Sequence, residues 1–151
     1  MVRLHYYIIA LCIALIAFTI YYLSSSSSSV NLPTVPKQEI YCIGTNKYRY
    51  TAAHDICRKM GGRLATKEEL HHAYKAGADW CTLGWVKGLH GYSISSGTSE
   101  CLSGFRGGSM PGQLKLGAVC YGIKPRLADV KKIGLNILPW NQSSGKWSYY
   151  N

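Results

Sequence analysis

Four cysteines, Cys57, Cys81, Cys101 and Cys120, follow one another at intervals of 24, 20 and 19 residues within a 151-residue chain that has room for one small domain. None lies at the C-x-x-C spacing of a structural zinc site, so they read as two disulfides. Four cysteines allow three connectivities, and spacing alone does not choose among them. Oxidation also requires that this part of the chain mature outside the cytosol.

The N-terminus addresses that requirement. From Tyr6 to Leu23 the chain reads YYIIALCIALIAFTIYYL, eighteen residues without a charge, with tyrosine pairs at both ends. This is long enough for a membrane span, and tyrosine suits the bilayer interface. Arg3 precedes the run and the next basic residue is Lys37. The positive-inside bias therefore leaves residues 1–5 in the cytoplasm, makes residues 6–23 a signal anchor and exports the remainder as a type II protein. A cleaved signal peptide is the competing reading, because Ser24 to Ser29 offer small residues to a protease, and the product would then be secreted. The apolar run exceeds the roughly 7–15 residues of a signal-peptide core, which favours the anchor. Residues 24–38, SSSSSSVNLPTVPKQ, are low in complexity and broken by Pro33 and Pro36, as in a stalk.

Charge narrows the partner. Seventeen Lys and Arg face seven Asp and Glu, a net +10; of these, sixteen basic residues and all seven acids follow the apolar run, so the exported part carries +9. Such a surface suits an anionic polysaccharide or a membrane surface, whereas nucleic acid lies on the other side of the membrane. Cys12 is a small residue of the apolar run, and Cys42 is an odd exported thiol, either buried and free or paired with another chain.

The folded unit starts near Ile40. In TAAHDICRKMGG, Ala52 or Ala53, Ile56, Cys57 and Met60 recur at helical spacing, with Thr51 as the N-cap and Gly61-Gly62 as the stop. In TKEELHHAYKAG, Thr66 and Glu69 have capping-box spacing, Leu70, Ala73 and Tyr74 form the apolar stripe, Lys67, Glu68, His71 and Lys75 face outward, and Gly77 ends the helix. Beyond it, WCTLGWVKG, GYSIS and LKLGAVCYGI read as strands of a small antiparallel sheet, giving an α+β domain. Trp80 and Trp85 are assigned to its core.

The ordered set KYRYTAAHDIC, GGRLATKEEL, HAYKAGADWC, LGWVKG, GYSI, Cys101 and GAVCYG resembles the Link module, the hyaluronan-binding domain of the extracellular link family. The resemblance covers roughly residues 39–124. It implies two helices and two small antiparallel sheets, a relative of the C-type lectin fold, with disulfides Cys57–Cys120 and Cys81–Cys101. It further implies a sugar groove lined by Lys47, Tyr48 and Tyr92. That chemistry suits hyaluronan, since a carboxylate on alternate sugars asks for a cation and sugar C–H faces rest on aromatic rings. The chain departs from the family at Ser93, where a proline is usual, and in GFRGGSMPGQLK, which stands in place of an aromatic-Gly-x-Arg element. Phe105 and Arg106 offer an aromatic and a cation near the same groove.

No catalytic constellation is apparent: no Ser/His/Asp set occurs, and Glu68 and Glu69 suit a helix first turn. Adjacent His71 and His72 point about 100° apart on a helix and do not share an ion readily, so no metal or other cofactor is expected. Residues 125–151 are too apolar for a free tail and are expected to pack back on the domain, with docking to a protein partner as the alternative. Asn141-Gln142-Ser143 is an N-glycosylation sequon. Together these point to a membrane-anchored, hyaluronan- or glycosaminoglycan-binding protein, suited to adhesion or attachment. The rival is a membrane protein, for example of a viral envelope or internal membrane, that uses the scaffold to dock a protein partner without binding sugar.

Overall fold

The computed structural model describes residues 2–25, 36–98 and 100–150. Most of the expected stalk, residues 26–35, lies outside the described residues. Two compact units are present, Met1–Val35 and Pro36–Asn151. The first contains α1 (Val2–Ser25), whose stretch His5–Tyr22 is long and apolar enough to cross a membrane. Its described side chains are exposed.

The second unit is α+β. Its elements are β1 (Gln38–Tyr48), α2 (Tyr50–Lys59), β2 (Arg63–Leu64), α3 (Lys67–Lys75), β3 (Trp80–Val86), β4 (His90–Ser95), β5 (Gly104–Ser109), β6 (Leu116–Ile123) and α4 (Leu127–Ile133). The strands make one sheet in the order β1-β6-β3-β4-β5, with β2 also on β6. This corrects the two separate sheets implied by the resemblance. Two antiparallel ladders do exist, β1-β6 and β3-β4-β5, but a short parallel seam, Gly84 to Gly117 and Trp85 to Ala118, fuses them. The seam is possible because glycine at 84 leaves room: a Cβ there would stand 2.7 Å from Val119 Cγ2.

Strand periodicity sorts the core into two clusters. In β1, Ile40 and Cys42 join the cluster that includes Leu70 and Ala73 of α3, while Tyr41 and Ile43 join the one that includes Ala53 and Cys57 of α2. Trp80 and Trp85, both fully buried, belong one to each. The disulfides are Cys57–Cys120, which fastens α2 to β6, and Cys81–Cys101, at the other end of the sheet. Cys42 is completely buried, and burial pushes its thiol up to about 12 despite the counteracting charge of Lys124. That position rules out the pairing of Cys42 with another chain in the folded domain.

Both early helices form where their periodicity places them. α3 has the full capping box, with Thr66 Oγ1 accepting from Glu69 N and Glu69 Oε2 accepting from Thr66 N. The start of α2 differs from expectation: Arg49, not Thr51, is the N-cap, and no side chain caps it. Tertiary contacts set that start instead, because Tyr50 N donates to Gly112 O and the Tyr50 ring meets the edge of Trp85 at 5.5 Å.

Residues 134–150 lie against the sheet. Gly44 N donates to Asn136 O and Leu138 N to Cys42 O, so this segment runs along β1, and Trp80 Nε1 donates to Pro139 O. Near its end, Glu39 accepts from Ser148 Oγ at 2.7 Å and from Tyr149 N at 2.9 Å. Lys124 donates to Trp147 O and lies over the Trp147 ring; burial draws its ammonium down to about 8, with Glu39 and Cys42 opposing the shift.

The sequon is part of the same docking. Asn141 Nδ2 donates to Gly77 O, and Ser143 Oγ donates to the buried Asp79 carboxylate, which also accepts from Ser96. Burial alone would raise the Asp79 pKa, but hydrogen bonds from the hydroxyls of Ser96, Ser143 and Ser95 and from the Ser96 backbone together offset it and hold the carboxyl below its ordinary value. A depressed folded pKa contributes stability that is complete above the unfolded value near about 3.9 and is lost as pH falls through the folded pKa. We expect Ser143→Ala to cost about 1–3 kcal/mol at neutral pH and to flatten the acid limb of stability, measured by urea unfolding from pH 5 downward. An unchanged acid limb would refute this role for Ser143.

Candidate functional site

The expected groove residues do not pack in one cluster. Lys47 is exposed near the end of β1, while Tyr48 is half-buried in the α2-side cluster, its carbonyl accepting from Trp85 Nε1 at 2.8 Å. Tyr92 belongs to the opposite, α3-side cluster and is only 6% exposed. In the β4–β5 ladder Tyr92 faces Gly107, Ser93 faces Arg106 and Ile94 faces Phe105. Cross-strand partners share a face and successive residues alternate, so Phe105 lies with Tyr92 whereas Arg106 points to the other side. Arg106 Nε is bonded to Ser103 O. The expectation that Phe105 and Arg106 serve one groove therefore fails on the two-residue period of the strand.

A different set gathers on the Tyr92 face. Phe105 lies 4.6 Å from Tyr92, His90 stacks on Tyr92 at 6.1 Å with its plane 14° away, and His71 meets the edge of Phe105 at 5.1 Å. Lys67 Nζ is 5.7 Å from the centre of the Tyr92 ring. Glycines make room for this stripe, since the neighbours of Tyr92 in register are Gly84 on β3 and Gly107 on β5. At Gly107, with φ of +146°, a Cβ would come within 2.0 Å of Gly91 O and 2.8 Å of the Tyr92 ring. Tyr92 thus forms the floor, and half-buried Phe105 and His90 with exposed His71 and Lys67 form the surface. Helical spacing was the sequence signal for part of this: Lys67 and His71 are four apart on α3 and project together.

At the β3–β4 turn the chain is tied to the start of α2. Gly88 N donates to Tyr50 Oη, Met110 N to Leu89 O, and Tyr50 N to Gly112 O, so three connections are tied at one rim. The segments meeting there carry exposed Lys47, Arg49, Lys87 and Lys115. Among the described residues the ion pairs are Arg58–Asp55, Arg63–Glu69 and Arg126–Asp129, so none of those four cations is neutralised by one. Such cations and half-exposed rings offer charge-assisted donors and apolar platforms to an extended anion. The described residues hold no cluster of three or more His, Cys, Asp or Glu side chains able to bind a metal. Residues 39–126 match the family model of the extracellular link domain.

Proposed function

From the premise that the chain belongs to the extracellular link domain family, a family of binding modules rather than enzymes, we propose that it is a membrane-anchored, type II receptor for an anionic glycosaminoglycan, hyaluronan first. α1 is the anchor in this reading, and the polymer lies along the face that runs from Lys67 and His71, over Phe105 and His90, past Lys87 to Lys47. Lys67, Lys87 and Lys47 engage carboxylates, while Phe105 and His90 carry sugar faces. Tyr92 supports those rings from below, and Tyr48 anchors the rim through packing. The observation that carries this reading is the Lys67–Tyr92–Phe105–His71 constellation, an aromatic surface with a cation already seated on it. A glycan on Asn141 belongs to this reading only if it is attached before folding engages the amide.

The test is a titration of the full chain in detergent with hyaluronan oligomers and heparin at several salt concentrations. Lys67→Ala and Lys47→Ala are each expected to weaken hyaluronan binding about threefold to tenfold. Arg106→Ala, on the opposite face, is expected to leave it unchanged. Absence of binding at physiological salt, or an Arg106→Ala effect equal to that of Lys67→Ala, would overturn the assignment and leave the protein-docking scaffold as the better reading.

A further inference from the structure

A second concavity lies beyond α3 from this face. It encloses about 290 Å³ between the Glu69–Ala76 side of α3, the start of β1 and the end of the chain. Its walls include Glu39, Tyr121, Trp140, Tyr149 and Tyr150, and three observations define the chemistry it offers.

The first is an aromatic corner. Tyr149 and Tyr150 stand at 76° with centroids 5.0 Å apart, and Trp140 lies 5.1 Å from Tyr149. The two tyrosines are 44% and 47% exposed, so both rings are reached from solvent. The second is that ammonium groups of the chain itself already use these faces: Lys37 Nζ is 4.8 Å from the Tyr150 centroid, and Lys146 Nζ is 5.7 Å from that of Tyr149. The third is a carboxylate without a matched cation. Glu39 is 5% exposed and, among the described residues, accepts from the neutral Ser148 hydroxyl and Tyr149 amide. Among the described residues it forms no ion pair; the cation that senses it, Lys124, is bonded to Trp147 O. The other wall carboxylate, Glu69, is neutralised by Arg63 through two hydrogen bonds.

We propose that this cavity binds a quaternary alkylammonium group, such as the trimethylammonium head of choline. Ring quadrupoles attract a cation most strongly where it is weakly hydrated, and a quaternary ammonium has no N–H that needs an acceptor. The volume admits such a head with a short alkyl arm, and the Glu39 carboxylate supplies the compensating charge. Lys37 acts as a built-in competitor for the Tyr150 face. A neutral sugar gains nothing from the ring quadrupoles or from the Glu39 charge, and methyl glucoside tests that difference. This site is independent of the glycosaminoglycan face.

The full chain, in a polyoxyethylene detergent free of ammonium and sugar head groups, is titrated with tetramethylammonium and choline. Binding is read by tryptophan fluorescence and by saturation transfer to the ligand methyls. The uncharged isostere 3,3-dimethylbutanol and methyl glucoside serve as comparators. Choline is expected to saturate, with the isostere at least about fivefold weaker. Lys37→Ala is expected to tighten choline binding about twofold to fivefold by removing the competing ammonium, an effect that loss of structure does not mimic. Tyr150→Leu is expected to weaken it by a similar factor. The proposal is overturned if choline does not saturate, if the isostere or the glucoside binds as well, or if Lys37→Ala leaves choline binding unchanged or weaker.

Discussion

Cys57→Ser is expected to destabilise the folded domain by about 4 kcal/mol, the loop-entropy value for a crosslink that spans 63 residues. The bond fastens α2 to β6, and β6 pairs with β1, β2 and β3, so its loss loosens the strand that joins the two ladders. Small domains have roughly 5–15 kcal/mol in total, so this single change removes a large share. Cys81–Cys101 spans only 20 residues at the other end of the sheet, and Cys81→Ser is expected to cost less, about 3 kcal/mol. Urea unfolding of the two variants at neutral pH orders them. A larger loss for Cys81→Ser would contradict the central place given to β6.

Trp85→Ala is the second change with a large expected effect, about 3–5 kcal/mol. Its side chain is fully buried, its Nε1 donates to Tyr48 O, and the edge contact with Tyr50 helps to place the start of α2. Trp85→Phe separates these contributions: it keeps much of the apolar contact but leaves the Tyr48 carbonyl without that donor, at about 1–3 kcal/mol. Because Tyr48 and Tyr50 flank the rim that carries Lys47 and Arg49, Trp85→Phe is also expected to weaken hyaluronan binding. Calorimetry and the hyaluronan titration check the two consequences on one protein. If Trp85→Phe keeps wild-type stability, the indole bond has no structural weight.

How much of this was legible in the sequence follows from the range of the interactions involved. α3 was readable because its determinants are local: Thr66 and Glu69 are three residues apart, and Leu70 with Ala73 set one buried face. The start of α2 was not, because Gly112 and Trp85, far along the chain, fix it. The seam between the ladders was equally hidden: Gly84 and Gly117 fell within segments read as antiparallel strands, and nothing local shows that those two strands lie side by side in parallel. Of the face proposed to bind the polymer, Tyr92 was singled out in the sequence by the family resemblance. Arg106 was misplaced beside it because proximity in sequence ignores the alternation of a strand, whereas Lys67 and His71 are exposed as read and also reach the rings of Tyr92 and Phe105.

The segment that runs along β1 has a practical meaning for anyone preparing this protein. β1 ends the strand order, and an uncovered terminal strand is a template for pairing with other chains. Here that side is occupied by hydrogen bonds from Gly44 N to Asn136 O and from Leu138 N to Cys42 O, with Ile43 and Ile137 bridged between them. The family match stops at residue 126, before Asn136, Ile137 and Leu138. A fragment trimmed to the match would expose both a sticky strand and the apolar surface beneath Ile137 and Trp140, and its failure to stay monomeric would reflect the missing cover, not an intrinsic tendency to oligomerise.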